Sequence, residues 1–153
     1  LPIEDTDLVA TTLLAPDNEL SEFNTDLSTQ NIDVDKTYRI PNVDYDFNSV
    51  NLNDNLMVAL NELSRIMKAN PKIEIQLAGH TASFGNNEKN QQLSEERAAT
   101  AAAYLINQGV ERHRGIATGF GESQLLNECV DGMLCSMEQH KENERLEIKV
   151  MRH

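Results

Sequence analysis

Apolar residues follow two rhythms along this chain. Leu52, Leu56, Ala59, Leu60, Leu63, Ile66 and Met67 recur at helical spacing and form one apolar stripe. Asn53 is placed to cap that helix, Asp54 lies near the positive end of its dipole, and Pro71 ends it. Ile73, Ile75 and Leu77 then alternate with Glu74 and Gln76, the period of a strand with one buried face. After a polar loop over 80–92, Ser94 predicts the cap of a second helix, with Glu95 and Glu96 in its first turn. Ala98, Ala101, Ala102 and Leu105 form its packing face, and Gly109 its stop. Arg114 to Thr118 reads as a third strand, and Gly119-Phe120-Gly121-Glu122-Ser123 opens a long loop. Leu146, Ile148 and Val150, alternating with Glu147 and Lys149, read as a closing strand.

Upstream, Lys36 to Ile40 predicts a short strand running into Asn42–Asn48, where apolar and acidic residues alternate. The order β-α-β-α-β-β predicts an α+β two-layer sandwich, with the helices packed on one face of a mixed sheet. Residues 1–36 read as an acidic lead-in or the end of an upstream domain, with the globular unit over 37–153. Leu8-Val9-Ala10 and Leu13-Leu14 are the apolar clusters of that lead-in, enough for one edge strand.

Charge narrows the partners. Thirteen basic against 25 acidic residues give a formal net charge of -12, which repels nucleic acid and an anionic membrane surface alike. No apolar run approaches the roughly 20 residues needed to span a bilayer as a helix. The chain starts at Leu1 with neither a basic nor an apolar leader, so a signal or membrane tether is expected outside these residues. Cys129 and Cys135 bracket Asp131-Gly132 and read as a disulfide closing a small loop, which implies an oxidising compartment. His140 would extend them to a Cys-Cys-His set, but a fourth zinc ligand is not evident, so no metal and no cofactor are expected. A disulfide also removes the thiolate that Cys/His catalysis needs, and no carboxylate pair stands out as an acid/base couple. His80, at a strand end, reads as a structural hydrogen-bonding residue. The chain is not expected to be an enzyme.

Five landmarks recur in an order that resembles the OmpA-like (outer membrane protein A-like) domain. They are Tyr45-Asp46-Phe47-Asn48; Gly79-His80-Thr81; Asn90 with Leu93-Ser94 and Arg97-Ala98; Gly119-Phe120-Gly121-Glu122; and Asn143-Glu144-Arg145-Leu146-Glu147-Ile148. The resemblance runs from about Tyr45 to Val150, and the cysteine pair is similar to that of a Gram-negative subgroup. It implies a periplasmic module, attached to the outer membrane through a region beyond this chain. Such a module binds the peptide stem of peptidoglycan without covalent chemistry, usually through diaminopimelate.

That ligand end carries an ammonium and a carboxylate on one carbon. The resemblance assigns the carboxylate to Arg97 as a bidentate fork. The ammonium belongs to an aspartate, and where the family has that aspartate this chain has Ala82. Thr81 and Asn90 are expected to line the cleft, Asp46 to compensate in part for Ala82, and Arg145 to stand in the family's closing basic pair. Glu144, where the family usually has the other arginine of that pair, adds a negative charge. Ala82 fits an engineered exchange or natural divergence, and Glu144 with Phe84 favours divergence. The expected function is a wall anchor weakened at Ala82. Its alternative is an OmpA-like interaction or structural module that no longer binds peptidoglycan.

Overall fold

In a computed structural model, residues 18–41 and 43–153 are described. The edge strand expected around Leu8-Val9-Ala10 lies outside them. The first element is one the pattern did not predict, helix α1 (Glu19–Ser28), capped by the Asn18 side chain, which accepts from Ser21 N at 2.8 Å. It lies within the stretch read as a lead-in. Leu20 and Phe23 nevertheless join the main core, and the Phe23 and Tyr38 rings lie 4.9 Å apart. Asp26 closes the joint, accepting from the Tyr38 hydroxyl at 2.6 Å and from Lys36 Nζ at 2.7 Å.

Strand β1 (Thr37–Arg39) follows, then the amphipathic helix α2 (Asp54–Ala69). Its cap is Asn53, as expected, with Oδ1 accepting from Leu56 N at 2.8 Å. The segment between them, expected to continue as a strand, carries none over residues 43–53; it turns at Asn48, whose φ is +56°. Strand β2 (Glu74–His80) leads to helix α3 (Asn87–Asn107), then a 3-10 turn at Arg112–Arg114 and strand β3 (Gly115–Gly119). A short helix α4 (Met137–Lys141), also unpredicted, precedes strand β4 (Arg145–Arg152).

Helix α3 begins seven residues before the expected cap at Ser94. Asn86 is the actual cap, accepting from Lys89 N at 3.1 Å. The Ser94 hydroxyl is used elsewhere: it donates to Gln91 O at 2.8 Å and accepts from Gly121 N at 2.9 Å. It ties the helix to the loop after β3.

The sheet runs β1-β4-β2-β3, with β2 and β3 parallel and the other pairs antiparallel. Register puts Ile75 opposite Val150 and Leu77 opposite Ile148, so one face is continuously apolar. Leu56, Ala59, Leu60, Leu63, Ala101 and Leu105 from α2 and α3 close over it in a single core. The expected two-layer α+β architecture is the observed one.

Gly79 and Gly119 permit the close approach of α3. A Cβ on Gly79 would stand 2.4 Å from Ser94 O, and one on Gly119 2.4 Å from Glu95 N. The same contact holds the first half of α3, with Asn90 and Arg97, over the C-terminal ends of β2 and β3.

Candidate functional site

Arg97 organises one wall of the site. It is 2 % exposed, and burial holds its guanidinium below the usual arginine range, partly offset by the charge of Glu144. Nε donates to Ser49 O at 2.8 Å and Nη2 to Asp46 O at 3.4 Å, while the guanidinium stacks 4.1 Å from the Tyr45 ring centroid. An irregular segment has few backbone partners of its own, so these bonds shape 45–49. Asn53 adds another, donating from Nδ2 to Asp44 O at 2.7 Å.

Asn90 organises the opposite wall. Its Nδ2 amide lies 3.2 Å from Ala82 O, 3.1 Å from Phe84 O and 3.3 Å from Glu122 Oε1, drawing the loop after β2 onto the helix start. Thr81 N donates to Gly121 O at 2.9 Å, and Ser83 Oγ donates to Cys129 O. Cys129 and Cys135 form the expected disulfide, so the loop that meets Ser83 is covalently closed.

Helix α4 supplies the third wall, fixed at its start by a capping box between Ser136 and Gln139. Asn143, fully buried, follows it, accepting from Leu126 N at 2.6 Å and donating to Asn127 Oδ1 at 2.9 Å.

These walls enclose a cleft of about 220 Å³. Ala82, Asn90, Asp46, Glu144, Lys141 and His140 are among its lining residues, as is Tyr45, whose ring stacks on Arg97 behind it. Three carboxylates line it, those of Asp44, Asp46 and Glu144; Lys141 Nζ lies 3.7 Å from Asp44, and Arg97 Nη1 lies 3.5 Å from Glu144 Oε1. That second pair is close enough for charge attraction but does not make a hydrogen bond, so Arg97 Nη1 remains a buried donor without an acceptor.

Tyr45 Oη and His140 Nδ1 are likewise buried and without hydrogen-bond partners. Burial pushes the Tyr45 phenol up to about 12, so it enters any interaction as a neutral hydroxyl. Tyr45 and His140 line the cleft, so it carries two of the buried polar atoms without protein partners, the kind of lining that suits a polar ligand. Phe47 and Phe84 stand exposed at the rim, their rings edge-to-face at 5.9 Å, and Phe84 meets His140 at 6.0 Å.

The fold therefore brings Ala82, Asn90 and Asp46 together in the cleft, with Arg97 buried behind Asp46 and Tyr45, and Thr81 buried next to Ala82 with its Oγ1 unpartnered. It does not bring Arg145 into the cleft. That side chain donates to Glu147 Oε2 at 2.9 Å, Asn143 O at 3.1 Å and Gln124 O at 2.9 Å, which commits the guanidinium to local bonds. Tyr45, Lys141 and His140 were not picked out as site residues from sequence. Tyr45 sits inside the first landmark, but no periodicity announces α4.

A larger depression, about 500 Å³, opens between the C-terminal ends of α1 and α2. Its lining is mostly apolar or uncharged, with Lys72 and His153, and holds none of the buried unpartnered atoms, so the smaller cleft is the better site.

On the helix-free face of the sheet, His80 stacks on Phe120 at 5.3 Å and places Nε2 3.3 Å from Glu147 Oε1. His80 first, then Arg145, holds the Glu147 carboxyl down at about 2 against an ordinary 4.5. A carboxylate stabilised in the folded state contributes fully above its unfolded value, and the contribution is lost as pH falls from about 4.5 towards 2. Glu147→Gln is expected to cost about 2 kcal/mol at pH 7 and almost nothing near pH 2. Urea titrations at the two pH values check this; an equal loss at both would refute it.

Known proteins share this fold. The sequence pattern of the OmpA family matches residues 45–132. Outer membrane porin F of Pseudomonas aeruginosa is 37 % identical over 83 residues, covering 54 % of this chain but 24 % of the porin's length. The peptidoglycan-associated lipoprotein of Buchnera aphidicola is 27 % identical over 109 residues, covering 70 % of this chain and 63 % of the lipoprotein. The crystal structure of the peptidoglycan-associated lipoprotein from Burkholderia pseudomallei superposes with a TM-score of 0.60 at 20 % identity, over 71 % of this chain and 86 % of that one. The matched span covers more than half of the chain and four of the five landmarks: this chain belongs to the OmpA family.

Proposed function

We propose that this chain is a noncatalytic cell-wall-binding domain that holds the peptide stem of peptidoglycan through its diaminopimelate residue. The observation that carries the proposal is the cleft itself. Asn90, Asp46 and Ala82, singled out by the family resemblance, line it, and Arg97 lies buried behind it, bonded to Asp46 O and paired with the lining Glu144. A relative named as a peptidoglycan-associated lipoprotein supports the ligand class. The disulfide suits a periplasmic setting. No helix among the described residues is long and apolar enough to cross a membrane. Attachment to the outer membrane through a further region is part of the proposal.

Binding here is positional and electrostatic. Arg97 supplies positive charge from beneath the cleft, Asp46 and Glu144 supply negative charge at its wall, and Asn90 holds the loop backbone in place. A charge-assisted contact in such a site contributes about 1.5–3 kcal/mol. Ala82 offers no side-chain acceptor, so the ligand ammonium lacks the partner that the family's aspartate provides.

Ala82→Asp is expected to raise the fraction of chain cosedimenting with insoluble peptidoglycan, with affinity rising on the order of tenfold to a hundredfold. Retention of neither form would sink the wall-binding reading. It would favour instead an interaction module presenting its exposed rim of Phe47, Phe84 and Met137 to another protein.

A further inference from the structure

Ala82 and Glu144 line the same cleft, and together they reverse its charge logic. The guanidinium that would take a ligand carboxylate already has one beside it. Glu144 Oε1 stands 3.5 Å from Arg97 Nη1, the donor left without a hydrogen-bond acceptor. The remaining guanidinium bonds go to Ser49 O and Asp46 O, and Nη1 is buried behind Glu144, so Arg97 reaches the cleft as charge rather than as an exposed donor. A second carboxylate arriving there would meet the Glu144 charge at contact distance, where like charges disfavour each other strongly.

The rest of the cleft points the same way. Asp44, Asp46 and Glu144 are its acids, and Lys141, its one lining lysine, is paired with Asp44. Tyr45 Oη and His140 Nδ1, both in lining residues, are buried and unpartnered, which marks the concavity as built for polar groups rather than as a chance run of acids.

We propose that Glu144 acts as a built-in substitute for the ligand carboxylate, so that the cleft selects a stem-peptide amine whose neighbouring carboxyl is neutral, as in an amide. This rests on the wall-binding reading and specifies the charge state of the ligand. The ammonium lies between Asp46 and Glu144, which both line the cleft, while the neighbouring amide carries no charge for Glu144 to repel.

The test is elution of the whole chain from insoluble peptidoglycan by diaminopimelic acid and by its diamide, at low salt. The diamide is expected to elute the wild-type chain at a concentration roughly tenfold lower. Glu144→Gln is expected to reverse that order, because it removes the charge that repels a carboxylate and leaves the positive charge of Arg97 unopposed; thermal denaturation checks that the variant is folded. Retention with the diacid as the better eluent, or an order unchanged by Glu144→Gln, would overturn this inference and leave the wall-binding reading standing. No retention on either amidated or free-carboxyl diaminopimelate peptidoglycan would overturn both.

Discussion

Replacing Arg97 by methionine is expected to lower the unfolding free energy by about 3 kcal/mol and to abolish binding in the cleft. Methionine keeps much of the volume, so the loss isolates the guanidinium. Ser49 O and Asp46 O lose their donor, the Tyr45 ring loses its cation, and Glu144 loses its counter-charge. Glu144 is partly exposed and can rehydrate, which keeps the cost towards the lower end for a broken buried pair. Arg97→Lys is expected to recover less than half of the stability. An ammonium restores the charge but cannot fork between two carbonyls while lying flat on a ring. Urea denaturation of the three proteins decides the matter. A lysine variant as stable as the parent would show that charge alone, without the fork, shapes the 45–49 segment.

Gly119→Ala is the second large effect, expected at about 3 kcal/mol of destabilisation. Its new methyl would stand 2.4 Å from Glu95 N, 2.5 Å from Ser94 Oγ and 2.6 Å from Glu95 Cγ. Two of those atoms are fixed, one by the helix backbone and one by its bonds to Gln91 O and Gly121 N. The helix must therefore lift by about 1 Å to reach ordinary contact, and the core beneath it opens. Lifting α3 also moves Asn90 and Arg97, so the variant should lose binding even at temperatures where it remains folded. A variant with unchanged stability would mean that α3 packs on β3 more loosely than described.

How much of this was legible in the sequence depends on whether a residue's role is local. The α2 stripe, its Asn53 cap and the alternation of β2 and β4 depend on spacing alone, and all appear as expected. Ser94 misled because a serine ahead of two glutamates is a good local cap, whereas its hydroxyl is bonded to a loop 27 positions away. Helix α1 had a readable signal, since Leu20, Phe23 and Leu27 fall at helical spacing behind Asn18, but the polar background obscured it. Helix α4 follows the disulfide loop and has too few turns for periodicity to show.

The candidate site was legible in the same uneven way. Asn90, Asp46 and Ala82 converge because the landmarks that carry them are themselves the walls of the cleft, and Arg97 lies buried behind Asp46. Arg145 does not join them. Strand alternation turns it to the side of His80 and Glu147, while Glu144, outside the strand, is left to face the cleft. Spacing could flag Glu144 as a departure, but only the fold shows that its carboxylate stands beside the Arg97 guanidinium.

The central claim is that the cleft between 44–48, 82–84 and 137–144 receives the peptidoglycan stem peptide. Amide chemical shifts of the isotope-labelled chain, followed as a soluble diaminopimelate-containing stem peptide is added, test it most directly. Saturable shifts are expected at Tyr45 to Asn48, Ala82 to Phe84, Asn90 and His140 to Glu144. Shifts confined to the His80, Glu147 and Lys149 face of the sheet, or none at saturating peptide, would contradict it.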